Sequence, residues 1–158
     1  MKLKDSGKRT EFSTGAVREI DGEKGRCDLV YNKVYGRLIH DDIPEWIEEF
    51  VRRGDINLLS AVLHQFIKKY YDSYETAYLE LSKHYADGAK KYSDRNMEKG
   101  LPFHCFIDSA MRHYVKFKRG DKDEPHDRAF MWNIFTLLYM MDYHPEMNDL
   151  PCKDYEEE

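Results

Sequence analysis

From about Ile43 onward apolar residues recur at helical spacing, and before that point they hardly recur at all. Ile43, Trp46, Ile47 and Phe50 fall three and four residues apart, Pro44 suits a first helical turn, and Gly54 stops the run. Asp55 or Asn57 then caps a second helix with Leu58, Leu59, Val62, Phe66 and Ile67 as its buried stripe. A third helix is predicted over about 74–92, packing through Tyr78, Leu81, Tyr85, Ala89 and Tyr92. A fourth covers about 103–118, with Phe106, Ala110, Val115 and Phe117 facing inward and Gly120 closing it. The fifth and most apolar spans about 125–143, after which Pro145 and Pro151 mark an irregular tail.

Ahead of these helices, Gly7, Gly15, Gly22, Gly25 and Gly36 sit among charged residues, with too few apolar positions to bury a helix or strand. No alternating run reads as a strand. The pattern therefore predicts an all-α protein: about five helices packed as one bundle-like domain over 37–145, an irregular basic arm over 1–36, and an acidic tail over 146–158.

Composition narrows the options. A chain of 158 residues can bury a core without disulfide or metal staples. No segment reaches the roughly 20 apolar residues that span a bilayer, and the first residues lack a secretory apolar stretch, so no membrane partner and a cytoplasmic location are expected. Cys27, Cys105 and Cys152 are odd in number and far apart, which reads as reduced thiols. A net charge of −5 argues against duplex nucleic acid as the partner, although the segment up to Arg37 is locally basic.

Several constellations can carry chemistry. On the third predicted helix Glu80, His84, Asp87 and Lys91 share a face, where carboxylates can hold a hard cation and the lysine a phosphate; ion pairs on a solvated face are the plainer reading. Lys91, Tyr92, Asn96, Lys99 and Gly100 follow as a cluster of donors and flexible backbone. Asp108 and Arg112 lie one turn apart, and Arg112 beside His113 offers a phosphate clamp next to a proton handler. Acids including Asp123 crowd the start of the last helix, where the helix dipole explains some of them. His126 and Asn133 share a side of that helix, and a buried Asn133 amide needs a partner, either backbone or ligand. Two looser patterns are Glu45-xx-Glu48 with Asp72-xx-Glu75, which imitates the carboxylate pairs of all-helical nucleotide pyrophosphohydrolases, and His126-Asp127, which imitates HD-domain phosphohydrolases.

A more specific likeness covers roughly 4–30 and 80–140. The stretches DSGKRTEFSTGAVREI at 5–20 and GEKGRCDL at 22–29 resemble the N-terminal signature of phage dATP/dGTP diphosphohydrolase-like proteins. Gly88-Ala89-Lys90-Lys91-Tyr92, Asn96-Met97-Glu98-Lys99-Gly100, Arg112-His113, Gly120 with Asp123, and His126 with Trp132-Asn133 follow in the order and spacing of that family. Met97 stands where the family carries Trp, Asp127 stands where it tends to be apolar, and about 37–76 reads as an added helical segment.

The resemblance implies hydrolysis of a purine deoxynucleoside triphosphate to monophosphate and pyrophosphate with Mg²⁺ or Mn²⁺. On that implication His113, His126 and Asp123 are the catalytic candidates. Lys24, Arg26, Lys91, Tyr92, Asn96, Lys99, Arg112 and Asn133 are the substrate-binding candidates, and Glu80, Asp87, Asp108 and Asp123 the metal ligands. The basic arm around Lys24-Gly25-Arg26 is expected to close over the nucleotide, and self-association is expected by analogy with other all-helical pyrophosphohydrolases. The rival readings are a nucleotide- or nucleic-acid-binding phage regulator without turnover, and HD-type triphosphohydrolysis.

Overall fold

The computed structural model describes Gly7, residues 9–19 and residues 24–156. The start of the 5–20 stretch, Ile20 to Glu23 and the last two acids of the tail lie outside the described residues.

Six α-helices are described: α1 Asn32–Ile39, α2 Asp42–Arg53, α3 Ile56–Tyr70, α4 Tyr74–Lys91, α5 Phe103–Arg119 and α6 His126–Tyr143. The protein is all-α in class, and the five helices expected from periodicity are α2 to α6. Their punctuation is local and physical. The Asp55 carboxylate accepts from the Asn57 amide and starts α3, Ser73 does the same for α4 through Thr76, and Gly54 and Gly120 close α2 and α5 at φ 76° and 89°.

Three expectations are corrected. The segment before Arg37 is not wholly irregular, because Asn32 opens α1. A strand is present: β1 Arg9–Glu11 pairs antiparallel with β2 Val17–Glu19 as a short hairpin. The packed face of α4 is rotated from the predicted one, since Tyr78 is exposed while Ala77, Leu81 and His84 are buried. In each case long-range contacts outweigh the local pattern, as one buried alanine, Ala16, seats the hairpin against the helices.

The core centres on Phe66 of α3. Its ring lies 4.7 Å from Phe130 of α6, 4.9 Å from Tyr70 and 5.5 Å from Phe117 of α5, measured between centroids. Tyr114, fully buried, packs 5.0 Å from Phe130 and donates its hydroxyl hydrogen bond to Asp41 at the start of α2. These contacts lock α3, α5 and α6 together and leave the opposite sides of α5 and α6 to face α4 and the hairpin.

Gly36 lets α1 lie against α2. A Cβ there would stand 2.8 Å from the Asp41 carbonyl oxygen and 2.9 Å from the Glu45 amide nitrogen, backbone atoms that cannot rotate away. Gly36→Ala gains about 1 kcal/mol of helix propensity and loses about 1–3 kcal/mol to overpacking. The expected outcome is net destabilisation, read as a lower urea midpoint with unchanged slope; a rise in midpoint overturns it.

Candidate functional site

One cavity of about 510 Å³ opens between α4, α5, α6 and the hairpin. Its walls follow from helical register. On α5, Cys105, Phe106, Ser109, Arg112, His113 and Lys116 succeed one another along a single face, so side chains change from apolar to cationic along the helix. On α6, Trp132 and Asn133 lie on the facing side, and α4 brings His84, Gly88 and Lys91. Met97 and Leu101 add apolar wall, while Val17, Arg18 and Lys24 close the cavity from the N-terminal side.

Asp108, almost fully buried, anchors this N-terminal wall. It accepts from Arg112 Nη2 at 2.7 Å, from Arg18 Nη2 at 3.3 Å and from the backbone N–H of Cys27 at 2.7 Å. Arg112 in turn donates to the Gly25 carbonyl at 2.9 Å, while its Nε is buried without a partner among the described residues. Asn96 clamps the same hairpin from the other side: its amide donates to the Val17 carbonyl at 2.8 Å and accepts the Val17 N–H at 2.9 Å. The basic arm is thus a built wall of the cavity.

Beyond the cationic end, two histidines face each other. His113 Nδ1 and His126 Nδ1 are 2.8 Å apart, and His126 Nε2 lies 2.7 Å from Asp123 Oδ1. His113, His126 and Glu124 bring ligand atoms within 4.8 Å of one another, as do Asp121, Asp123 and His126. Burial, and then the neighbouring His126, hold His113 well below the usual imidazole range, so its nitrogen lone pair is available at neutral pH. Two imidazoles with a carboxylate, one imidazole oriented by a further carboxylate, fit the donor set and outer support of a divalent-ion site.

The predicted site residues divide clearly. Lys24, Lys91, Tyr92, Asn96, Arg112, His113 and Asn133 line the cavity, and His126 and Asp123 stand directly behind His113. Asn133 donates to the Ala129 carbonyl at 2.9 Å and to Ser109 Oγ at 3.2 Å, which supplies the expected partner. Arg26 and Lys99 do not line it; Arg26 pairs with Asp28 at 2.7 Å and Lys99 is exposed. The four predicted metal carboxylates are not brought together. Glu80 and Asp87 flank Arg128 at 3.8 Å and 2.9 Å, Asp108 is committed to arginines, and only Asp123 joins a candidate metal cluster.

The looser patterns fare differently. Asp127 accepts from the Tyr71 hydroxyl at 2.6 Å, turned away from the clusters that include His126. Glu45 and Glu48 pair with Arg37 and Arg52, and Asp72 and Glu75 are exposed.

Several lining residues escaped the sequence reading. Lys116 carried a usable signal, being one turn beyond Arg112, and Glu124 sat in the noted acidic run. Cys105 and Phe106 lie about two turns before Arg112 and His113 on the same face of α5, whereas Arg18 reaches the cavity only through contacts distant in sequence.

The fold and site together define a helical domain with an aromatic-walled, cationic cavity beside a paired-imidazole cluster. A family model described as dATP/dGTP diphosphohydrolase, N-terminal, matches residues 64–150, more than half of the chain and all of α4, α5 and α6. The chain belongs to this family. No curated protein and no solved structure matches. None of the described helices is long and apolar enough to cross a membrane.

Two predictions follow from the geometry. Asp108→Asn leaves two arginines short of charge compensation in a buried setting, with an expected cost of about 3–5 kcal/mol by urea unfolding and faster proteolysis near Lys24. Burial and then Arg128 lower His84 to about 4 from its ordinary 6.5, so the unfolded chain takes up this proton first as pH falls. Stability from this source is complete above about pH 6.5 and declines toward pH 4, by up to about 1.4 kcal/mol per unit. Unfolding curves at about pH 7 and about pH 5 should show that slope, reduced in His84→Gln; identical slopes for both proteins would contradict it.

Proposed function

We propose that this protein is a metal-dependent nucleoside triphosphate diphosphohydrolase acting on purine deoxynucleotides. The carrying observation is a cavity that joins an aromatic wall, Trp132 and Phe106, to cationic side chains including Lys24, Lys91, Arg112 and Lys116, with the His113–His126 pair at its edge. A base suits the aromatic wall and a polyphosphate suits the cations, and the family description supplies the reaction class.

The reaction adds water across the bond between the α- and β-phosphates: the water oxygen joins the α-phosphorus, and pyrophosphate leaves. Arg112 and Lys116 neutralise the phosphate chain, and Arg112 is preset for this because Asp108 and Gly25 both hold its Nη2. His113, His126 and Glu124 would hold a divalent ion, which when bound supplies Lewis acidity at the phosphates. Asp123 accepts from His126 Nε2, which sets the tautomer that leaves Nδ1 facing His113. Two nitrogens and one carboxylate favour Mn²⁺ over Mg²⁺, since Mg²⁺ prefers an all-oxygen shell.

The test is a nucleotide panel with product identification. Full-length protein with Mn²⁺ should convert dATP and dGTP to monophosphate plus pyrophosphate, and chelation should abolish turnover. Asp123→Asn, which removes support from His126 without removing a ligand of the His113–His126–Glu124 set, should weaken metal dependence or activity about 10–100-fold. Release of neither pyrophosphate nor triphosphate from any common nucleotide ends the enzyme reading. A thermal shift with nucleotide in the absence of product identifies a binding module instead.

A further inference from the structure

Two polar atoms, on side chains that line the aromatic part of the cavity, are buried without a hydrogen-bond partner among the described residues: Trp132 Nε1 and His84 Nδ1. His84 is only 6% exposed, both side chains line the cavity, and their ring centroids are 5.7 Å apart. Buried polar atoms in folded proteins are almost always satisfied, so two orphans on neighbouring side chains that line one cavity point to a ligand that completes them. Phe106, 6.1 Å from Trp132, with Met97 and Leu101, gives that ligand an apolar seat.

We propose that Trp132 and His84 form the edge that reads the base, Trp132 donating its indole N–H to N7 of a purine and His84 Nδ1 bonding the group at position 6. This rests on the nucleotide reading above and assigns its base specificity to two residues. The indole is a donor only, and N7 is an acceptor in adenine and in guanine alike, whereas pyrimidines have no such atom. Position 6 differs between the two purines, an amine donor in adenine and a carbonyl acceptor in guanine. A neutral imidazole meets both, because Nδ1 accepts in one tautomer and donates in the other. Burial holds His84 neutral across the physiological range. A permanently cationic side chain in its place could only donate and would favour guanine.

The experiment is equilibrium binding by calorimetry to the full chain without divalent ion, using dATP, dGTP, their 7-deaza analogues and dTTP. Native protein should bind each 7-deaza analogue about tenfold more weakly than its parent, the effect of one lost hydrogen bond, and dTTP more weakly still. Trp132→Phe keeps the ring and removes the N–H; it should bind both parents about tenfold more weakly and no longer distinguish the analogues. His84→Gln, which retains a donor and an acceptor, should keep both purines, while His84→Leu should lose about tenfold on both. Equal affinity of native protein for parent and 7-deaza nucleotides overturns the proposal while leaving nucleotide binding intact. Unchanged binding by His84→Leu overturns the role of His84. Failure of native protein to bind any purine nucleotide overturns both this inference and the nucleotide reading. The analogue comparison uses native protein alone, so it decides the matter even where a variant does not fold.

Discussion

The Asp108 carboxylate is the point on which the site is built. It sits almost fully buried on α5 with two guanidinium groups and a backbone N–H around it. A buried carboxylate is costly unless paired and hydrogen-bonded, and here every partner comes from a segment that would otherwise be loosely attached or from the cavity wall itself. Arg18 ties down the hairpin, Cys27 the turn before α1, and Arg112 faces the cavity. The same charge therefore folds the N-terminal arm onto the helices and presents Arg112 to whatever enters.

Around that anchor, polarity changes along one helix face. Toward the start of α5 the wall is Cys105, Phe106 and Ser109; one to two turns later it is Arg112, His113 and Lys116. A helix advances only about 1.5 Å per residue, so an apolar seat, a cationic grip and a residue of the candidate ion cluster fit within a few turns of one rigid element. Rigid support matters, since catalysis on phosphates is largely positioning and electrostatic stabilisation. The histidine pair extends the same logic: α5 and α6 each contribute an imidazole, and Asp123 in the loop between them orients one of the two.

The site also carries features that stability alone would disfavour. Trp132 Nε1, His84 Nδ1 and Arg112 Nε are buried without partners among the described residues, while Asn133 on the same wall is satisfied by Ala129 and Ser109. Unmet polar atoms on three side chains that line one cavity fit a binding site for a polar ligand.

By itself the sequence determined the all-α class, the spans of α2, α4, α5 and α6 within a residue or two, the start of α3, and the closing glycines Gly54 and Gly120, because helical periodicity and capping act over a few residues. It also singled out Lys91, Arg112, His113 and His126 as candidates, and packing brings the first three to the cavity wall and His126 against His113. Only the tertiary structure decided which acids lie in clusters able to hold an ion. Glu80 and Asp87 look like ligands on a helical face, yet α6 brings Arg128 to them, and Asp108 is claimed by arginines from distant segments. It likewise decided that the arm forms a hairpin and that α4 turns His84 inward toward Trp132. Burial and pairing across helices are properties of packing at long sequence separation, and no local pattern encodes them.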